Sequence, residues 1–142
     1  MSGIGGKVGF VATAFGCTHA CAFCCIQNMA GGKYLSHDND AVMRDIGLLG
    51  DLPLIRLVDA NTFGNVQSAT ALGERIVDAG MNKRFIADVR SDTVVRHPEL
   101  FSLWQRAGLS VAVIGFEEIS DTRLDGFNKK NTHRTNLEAI AI

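Results

Sequence analysis

Segments with the composition of β-strands alternate with segments of helical periodicity along this chain of 142 residues. The predicted strands are rich in Val, Ile, Leu and Phe and cover residues 7–14, 54–59, 84–90 and 110–119. The predicted helices repeat apolar residues at helical spacing and cover residues 40–49, 66–79 and 99–107, with two more beginning at Ser120 and Thr132. This alternation is typical of βαβ units. The sequence therefore predicts an α/β fold with about four parallel βα units.

The carboxyl ends of the four predicted strands define where a site would lie. Right-handed crossovers place these ends at one edge of a parallel sheet, where α/β proteins build their sites. The segments at that edge are residues 16–25, 59–63, 90–93 and 115–118. The chain has no linker or low-complexity break, and a domain typically has roughly 150 residues. We therefore predict one domain over residues 1–142.

Charge and composition exclude several classes of function. Lys plus Arg number 14 and Asp plus Glu number 15, whereas nucleic-acid binders usually carry a basic excess. The stretch between Lys7 and Lys33 has no charged residue, but its polar residues and cysteines do not suit a membrane span. We therefore predict no nucleic acid, no membrane and a cytoplasmic location, where clustered cysteines bind metal or perform chemistry.

All four cysteines fall within residues 17–25. Short cysteine runs of this kind hold iron–sulfur clusters, and three ligands on a four-iron cluster would leave one iron open for chemistry. A zinc site from Cys17, His19, Cys21 and Cys24 is an alternative, although zinc usually takes ligand pairs from two separated segments. A dithiol redox pair of Cys21 and Cys24, or a closed cluster with Cys25 as fourth ligand, are further alternatives.

The pattern Cys17-x-x-x-Cys21-x-Phe23-Cys24, placed directly after the first strand, resembles the radical S-adenosylmethionine (radical SAM) superfamily. The resemblance implies a partial (β/α) TIM-like barrel in which the three cysteines bind a [4Fe–4S] cluster and SAM chelates the open iron. Phe23 would be the aromatic residue beside the cofactors. One electron would then cleave SAM to methionine and a 5′-deoxyadenosyl radical, which abstracts a hydrogen atom from the substrate.

Residues 82–92, 97–100 and 114–117 are similar to the cobalamin-associated branch, which includes methyltransferases and tetrapyrrole-modifying cyclases. The resemblance to this branch implies an electron donor such as a flavodoxin or ferredoxin and an unidentified substrate. It implies cobalamin only through a domain absent here. Family cores usually have six βα units, and this chain stops in mid-helix after about four. We therefore expect either a truncated enzyme or a homodimer, since the fourth strand would otherwise be an unpaired edge.

The same resemblance suggests SAM contacts at the other strand ends. Asp59 and Asn61 would receive the amino group, Arg90 and Ser91 would donate to the carboxylate or ribose, and Glu117, ending the fourth strand, would accept from the ribose. A strand-end Asx turn at Asp59, an acidic partner for Arg90 and a structural ion pair for Glu117 are the alternatives. We assign no catalytic residue.

The consecutive lysines Lys129 and Lys130 are interpreted as a solvated surface pair. The function that competes with a radical SAM enzyme is a non-catalytic module that binds an iron–sulfur cluster or zinc, and turnover of SAM separates the two.

Overall fold

The computed structural model describes residues 7–142. Its strands are β1 Val8–Val11, β2 Ala14–Gly16, β3 Tyr34–Ser36, β4 Leu54–Leu57, β5 Arg84–Val89 and β6 Leu109–Ile114. Its helices are α1 Ile26–Met29, α2 Asn39–Leu48, α3 Val66–Asp78, α4 Ser91–Arg96, α5 Pro98–Ala107, α6 Asp121–Gly126 and α7 His133–Ala141. Within this part of the chain, no helix is both long and apolar enough to cross a membrane.

Four strands form one parallel sheet in the order β1-β4-β5-β6. Val11 is in register with Leu57, and Ile86 with Val111. The spatial order follows the chain order, and helices lie between successive strands, as in a series of βα units. This confirms the predicted α/β fold of a partial barrel with about four units, and the described sheet is open.

The core lies on one face of the sheet, between the strands and the helices. Because side chains alternate along a strand, Ile55, Leu57 and Phe85 all point to this face and are fully buried. Trp104 of α5 completes the layer: its indole nitrogen donates to the Ala69 carbonyl at 3.0 Å, and its ring meets Phe85 edge-on.

The opposite face of the sheet carries side chains that are much less covered. Phe10, Arg56, Ile86 and Val111 are neighbours across the four strands, and Phe10 is 66% exposed while Val111 is 46% exposed. An ion pair between Arg56 and Asp88 crosses this face. We refer to this surface as the uncovered face. Since parallel sheets are normally covered on both sides, it is an unusual surface for a parallel sheet.

The structure corrects two predicted strand boundaries. The strand predicted over residues 7–14 is interrupted, because the chain turns after Val11 and residues 14–16 form β2, which pairs antiparallel with β3. The strand predicted to reach residue 119 ends at Ile114. The short helices α1 and α4 were not predicted, since each is too short to show a helical period.

A pair of leucine truncations tests the placement of the core. Leu57→Ala, at a fully buried residue of β4, should lower the free energy of unfolding by about 2–5 kcal/mol because it removes buried methyl groups and leaves a cavity. Leu48→Ala, at a residue of α2 that is 78% exposed, should change it by less than about 0.5 kcal/mol. Urea unfolding followed by circular dichroism measures both, and equal losses would contradict this core.

Candidate metal centre

The cysteine segment begins where β2 ends and lies in the connection between β2 and β3. Gly16 has a φ of 83°, and a Cβ at this position would collide with the carbonyl of Lys33, the residue directly before the facing strand β3. Only glycine therefore allows the chain to leave β2 so close to β3. The hairpin thus fixes the point from which residues 17–25 extend, and this point lies at the carboxyl end of the sheet beside β4.

The backbone of the cysteine segment is held by side chains from outside it. The Gln27 amide donates to the carbonyls of Cys17 and His19, both at 2.8 Å. The Asn128 amide donates to the Ala20 carbonyl, also at 2.8 Å. Because these contacts use main-chain oxygens, they order the segment without occupying the cysteine sulfur atoms. All four cysteines are free thiols.

Three of these cysteines line an open cleft of about 300 Å³ at the carboxyl ends of β4, β5 and β6. The cleft brings together most of the predicted site residues; its wall includes Cys17, Cys21, Phe23, Cys24, Asp59, Arg90 and Glu117. Asn61 and Ser91 are buried behind this wall and do not line it. Cys25 is exposed and stands at the N-cap of α1.

The arrangement of the sulfur atoms bears on which metal group fits. Within residues 7–142, no three His, Cys, Asp or Glu side chains converge on a single ion position. A zinc ion needs its ligand atoms within about 2.0–2.3 Å of one point. An iron–sulfur cube instead takes each thiolate on a separate iron, so its ligands stand apart around the cube. The cleft wall offers three cysteine thiols, which are the ligand type that a [4Fe–4S] cluster takes.

Arg90 is the N-cap residue of α4 and is 6% exposed. Its Nε donates to Asp92 at 2.8 Å, one terminal nitrogen donates to the Lys129 carbonyl at 2.7 Å, and the other lies 3.9 Å from Cys21 Sγ. The acidic partner considered as an alternative is therefore present. Every guanidinium nitrogen has a partner, and a contact with the SAM carboxylate stays a prediction.

Asp59 follows β4 and is buried. Its carboxylate accepts from the Thr13 and Ala14 amides at 2.8 and 2.9 Å, and from the Thr13 hydroxyl at 2.7 Å. These bonds tie the end of β4 to the turn between β1 and β2. Asp59 therefore has a structural role in this geometry, and its predicted contact with the SAM amino group stays a prediction.

Asn61 and Ser91 support the site from behind. The Asn61 amide donates to Thr18 Oγ1 at 3.1 Å, while its Oδ1 is buried without a partner among the described residues. The Asn61 carbonyl accepts from the Tyr34 hydroxyl at 3.2 Å. Ser91 donates to Asn136 Oδ1 at 2.7 Å and so joins α4 to α7. Their predicted SAM contacts stay predictions.

Glu117 and Lys129 form an ion pair at the other side of the cleft, with 3.0 Å between Nζ and Oε1. The interpretation of Lys129 as solvated is wrong, since it is 6% exposed and its ammonium also lies 5.7 Å from the centre of the Phe23 ring. Glu117 was predicted to end the fourth strand, but it lies in the loop after β6 with a φ of 65°. The structural ion pair considered for Glu117 is present.

His19 lies inside the cysteine segment and close to positive charge. Burial and the nearby Arg90 guanidinium lower its pKa below the ordinary value of 6.5. Its Nδ1 is 2.9 Å from the Thr18 hydroxyl, and its Nε2 is 3.9 Å from the Asp92 carboxylate. This environment favours the neutral imidazole.

Sequence reasoning did not find Gln27, Lys129 or Tyr34. Gln27 acts through carbonyls eight and ten residues before it, and Lys129 contacts Arg90, which is 39 residues away. No spacing motif marks these contacts. The signal available for Gln27 was its place shortly after the cysteines, as a neutral polar residue in a segment without charged residues.

No protein-family profile matches the chain. Over 125 residues it is 30% identical to a hopanoid C-3 methylase of Methylococcus capsulatus, covering 88% of this chain and 24% of that protein. It is 26% identical over 130 residues to an anaerobic magnesium-protoporphyrin IX monomethyl ester cyclase of Synechocystis, covering 89% of this chain and 26% of that protein.

Two solved structures have the same fold. The radical SAM methyltransferase TsrM of Kitasatospora setae, with cobalamin and a [4Fe–4S] cluster bound, matches with a TM-score of 0.85 and 18% identity over 96% of this chain and 28% of TsrM. The cobalamin-dependent SAM radical enzyme OxsB, with aqua-cobalamin and SAM bound, matches with a TM-score of 0.76 and 20% identity over 92% of this chain and 21% of OxsB.

These matches show that the chain has the fold found in radical SAM enzymes. The cysteine pattern indicated the radical SAM superfamily, and residues 82–92, 97–100 and 114–117 indicated its cobalamin-associated branch; this resemblance is confirmed. The chain spans about a quarter of the length of the curated relatives that it matches.

Removing the Asp59 carboxylate tests its structural role. Asp59→Ala leaves two amides and a hydroxyl without their buried acceptor and should cost about 1–3 kcal/mol in the free energy of unfolding. Asp59→Asn should cost less, because the amide oxygen can still accept from both backbone amides. Asp45→Ala, which removes an exposed carboxylate paired with its neighbour Arg44, is the control and should cost less than about 0.5 kcal/mol.

The chain's single tyrosine, Tyr34, allows a direct test by pH. Burial raises the pKa of its phenol above the ordinary value of 10. The unfolded chain should therefore lose this proton first, so that the stability contributed by Tyr34 falls as pH rises above 10. Ultraviolet absorbance should show phenolate at higher pH in the folded protein than in urea. Tyr34→Phe should lack that signal, and coincident titrations would contradict burial of the phenol.

Proposed function

We propose that this chain forms the cluster- and SAM-binding core of a radical SAM enzyme of the cobalamin-associated branch. The observation that carries the proposal is the cleft in which Cys17, Cys21 and Cys24 present free thiols at the carboxyl ends of three parallel strands. The 30% identity to a methylase over most of the chain supports it. When bound, the [4Fe–4S] cluster supplies the electron for reductive cleavage of SAM to a 5′-deoxyadenosyl radical.

The chain's own residues would hold and orient these groups. The three cysteine sulfurs would ligate the cluster, and the Gln27 and Asn128 amides keep their backbone in place. Among the polar residues predicted to contact SAM, Glu117 is the most accessible, since its side chain lines the cleft and has one oxygen paired with Lys129. Phe23 would offer an apolar surface on the same wall.

The reaction and the partners of the whole protein follow from its relatives as proposals. One relative is a methylase and another a cyclase, and TsrM has been solved with a tryptophan substrate. We infer methyl transfer or cyclisation by hydrogen abstraction for this protein. An electron donor such as a flavodoxin or ferredoxin would reduce the cluster. Cobalamin would be held by a separate domain, and the free thiols suit a reducing compartment such as the cytoplasm.

A non-catalytic cluster-binding module is the second candidate. The observation that favours it is the full engagement of Arg90 and Asp59, two residues predicted to contact SAM, by partners within the protein. Both candidates need the cluster, whereas only an enzyme core needs an iron that SAM can reach.

Cysteine-to-serine variants test the proposed ligand set. After anaerobic reconstitution with iron and sulfide, Cys17→Ser, Cys21→Ser and Cys24→Ser should each lose most of the cluster, because each variant replaces a thiolate, the ligand that holds iron–sulfur clusters, with a hydroxyl. Cys25→Ser is the matched control, since Cys25 is the adjacent exposed thiol, and it should keep wild-type iron content. Iron and sulfide analysis measures the outcome.

Electron paramagnetic resonance of the reduced wild-type protein then separates the two candidates. A [4Fe–4S] signal that changes on addition of SAM supports the enzyme core. A signal that SAM leaves unchanged supports the non-catalytic module. Zinc binding without cluster formation, or loss of the cluster in Cys25→Ser alone, would contradict the proposed ligand set.

A further inference from the structure

Arg90 differs from the other cations of the site because it points at a cysteine sulfur. Among the arginines of the described residues, Arg90 is the one whose guanidinium comes within hydrogen-bonding distance of a thiol. One of its terminal nitrogens lies 3.9 Å from Cys21 Sγ. This distance falls within the range of hydrogen bonds to sulfur, which are longer than those to oxygen. The guanidinium is also buried, so that solvent does not screen the contact.

The position of the guanidinium is fixed from two sides. Asp92, two residues along the chain, accepts from its Nε, and the carbonyl of Lys129, from the loop after α6, accepts from one terminal nitrogen. The remaining nitrogen is thereby directed at Cys21. A side chain held in this way can donate to a sulfur without losing further rotamer freedom, because its planar group is already oriented.

Arg90 and its charged neighbours carry a net positive charge beside the Cys21 sulfur. Asp92 is shared, since it also pairs with Arg96, and two guanidinium groups therefore face one carboxylate. The neighbouring cation, Lys129, is paired with Glu117. Positive charge from the shared Arg90–Asp92–Arg96 group therefore remains beside Cys21.

Hydrogen bonds to the cysteine sulfurs and local charge are among the factors that set the reduction potential of an iron–sulfur cluster. Reduction adds one negative charge to a cluster that already carries thiolate ligands. A buried N–H donor beside one of those thiolates stabilises the reduced form more than the oxidised form, because the reduced form has the greater negative charge.

We propose that Arg90 is a positioning residue that donates to the Cys21 thiolate and raises the reduction potential of the bound cluster. The proposal rests on the proposed function, since it requires Cys21 to be a cluster ligand. It assigns Arg90 a role towards the cluster, in place of a direct contact with SAM.

The experiment compares Arg90→Gln with Arg96→Gln after anaerobic reconstitution. Both variants remove one arginine from the same carboxylate, but the Arg96 side chain is 62% exposed and its bonds go to Asp92. The reduced cluster is quantified by electron paramagnetic resonance at a series of poised potentials. Iron and sulfide content is measured first, so that only fully loaded samples are compared.

Arg90→Gln should shift the equilibrium about tenfold towards the oxidised cluster. For a one-electron couple this corresponds to a reduction potential about 59 mV more negative. Arg96→Gln should shift it by less than about twofold, because solvent and salt screen an exposed charge. Fully loaded Arg90→Gln with the wild-type potential would overturn the proposal, and so would equal shifts in the two variants.

A second measurement does not depend on any Arg90 variant accepting a cluster. Wild-type protein labelled with ¹⁵N-arginine should show a nitrogen hyperfine coupling in the reduced cluster, and Arg96→Gln should retain it. Absence of that coupling in a loaded wild-type sample overturns the role of Arg90 while leaving the proposed function intact. Failure of the wild-type protein to form any cluster overturns the proposed function and this inference together.

Discussion

The carboxylate of Asp59 determines where the cysteine segment can begin. It accepts three hydrogen bonds at the junction between β1 and β2, from two consecutive backbone amides and one hydroxyl. The Thr13 and Ala14 amides lie where the chain passes from the parallel sheet to the hairpin, and buried amides need an acceptor, which Asp59 supplies. Because Asp59 follows β4, the same bonds fix the hairpin against the neighbouring strand. The cysteines, the cleft and the approach of Arg90 all depend on that junction.

The part of the fold that sequence predicted is the part governed by local periodicity. The alternation of apolar strands with amphipathic helices, such as α3 and α5, is written in consecutive residues and needs no knowledge of tertiary contacts. The hairpin of β2 and β3 escaped prediction because each strand has three residues, too few to show an alternation, and because its pairing joins segments separated by the cysteines. The end of β6 at Ile114 was missed for a related reason, since the apolar composition continues beyond the last paired residue.

The site could be predicted from sequence to a similar extent, and its prediction failed where contacts join segments that are remote in the chain. Three cysteines in a family pattern, placed after the first predicted strand, located the cleft, and the predicted strand ends supplied Arg90, Asp59 and Glu117 as neighbours, although Glu117 lies beyond the true end of its strand. What those side chains contact was beyond the sequence. Lys129 is buried by partners that approach from three separate loops, and nothing in the dipeptide of lysines distinguishes it from an ordinary surface pair. Ion pairs and hydrogen bonds of this kind depend on distances of a few ångströms between segments remote in the chain.

The uncovered face of the sheet has a thermodynamic consequence. Phe10, Val111 and Val113 keep apolar area in water on that side, and removal of such area from water releases about 25 cal/mol for each Å². Any surface that binds there only in the folded state would stabilise the chain by mass action, in proportion to the logarithm of its concentration. The midpoint of thermal unfolding would then depend on the concentration of that surface as well as on the chain itself.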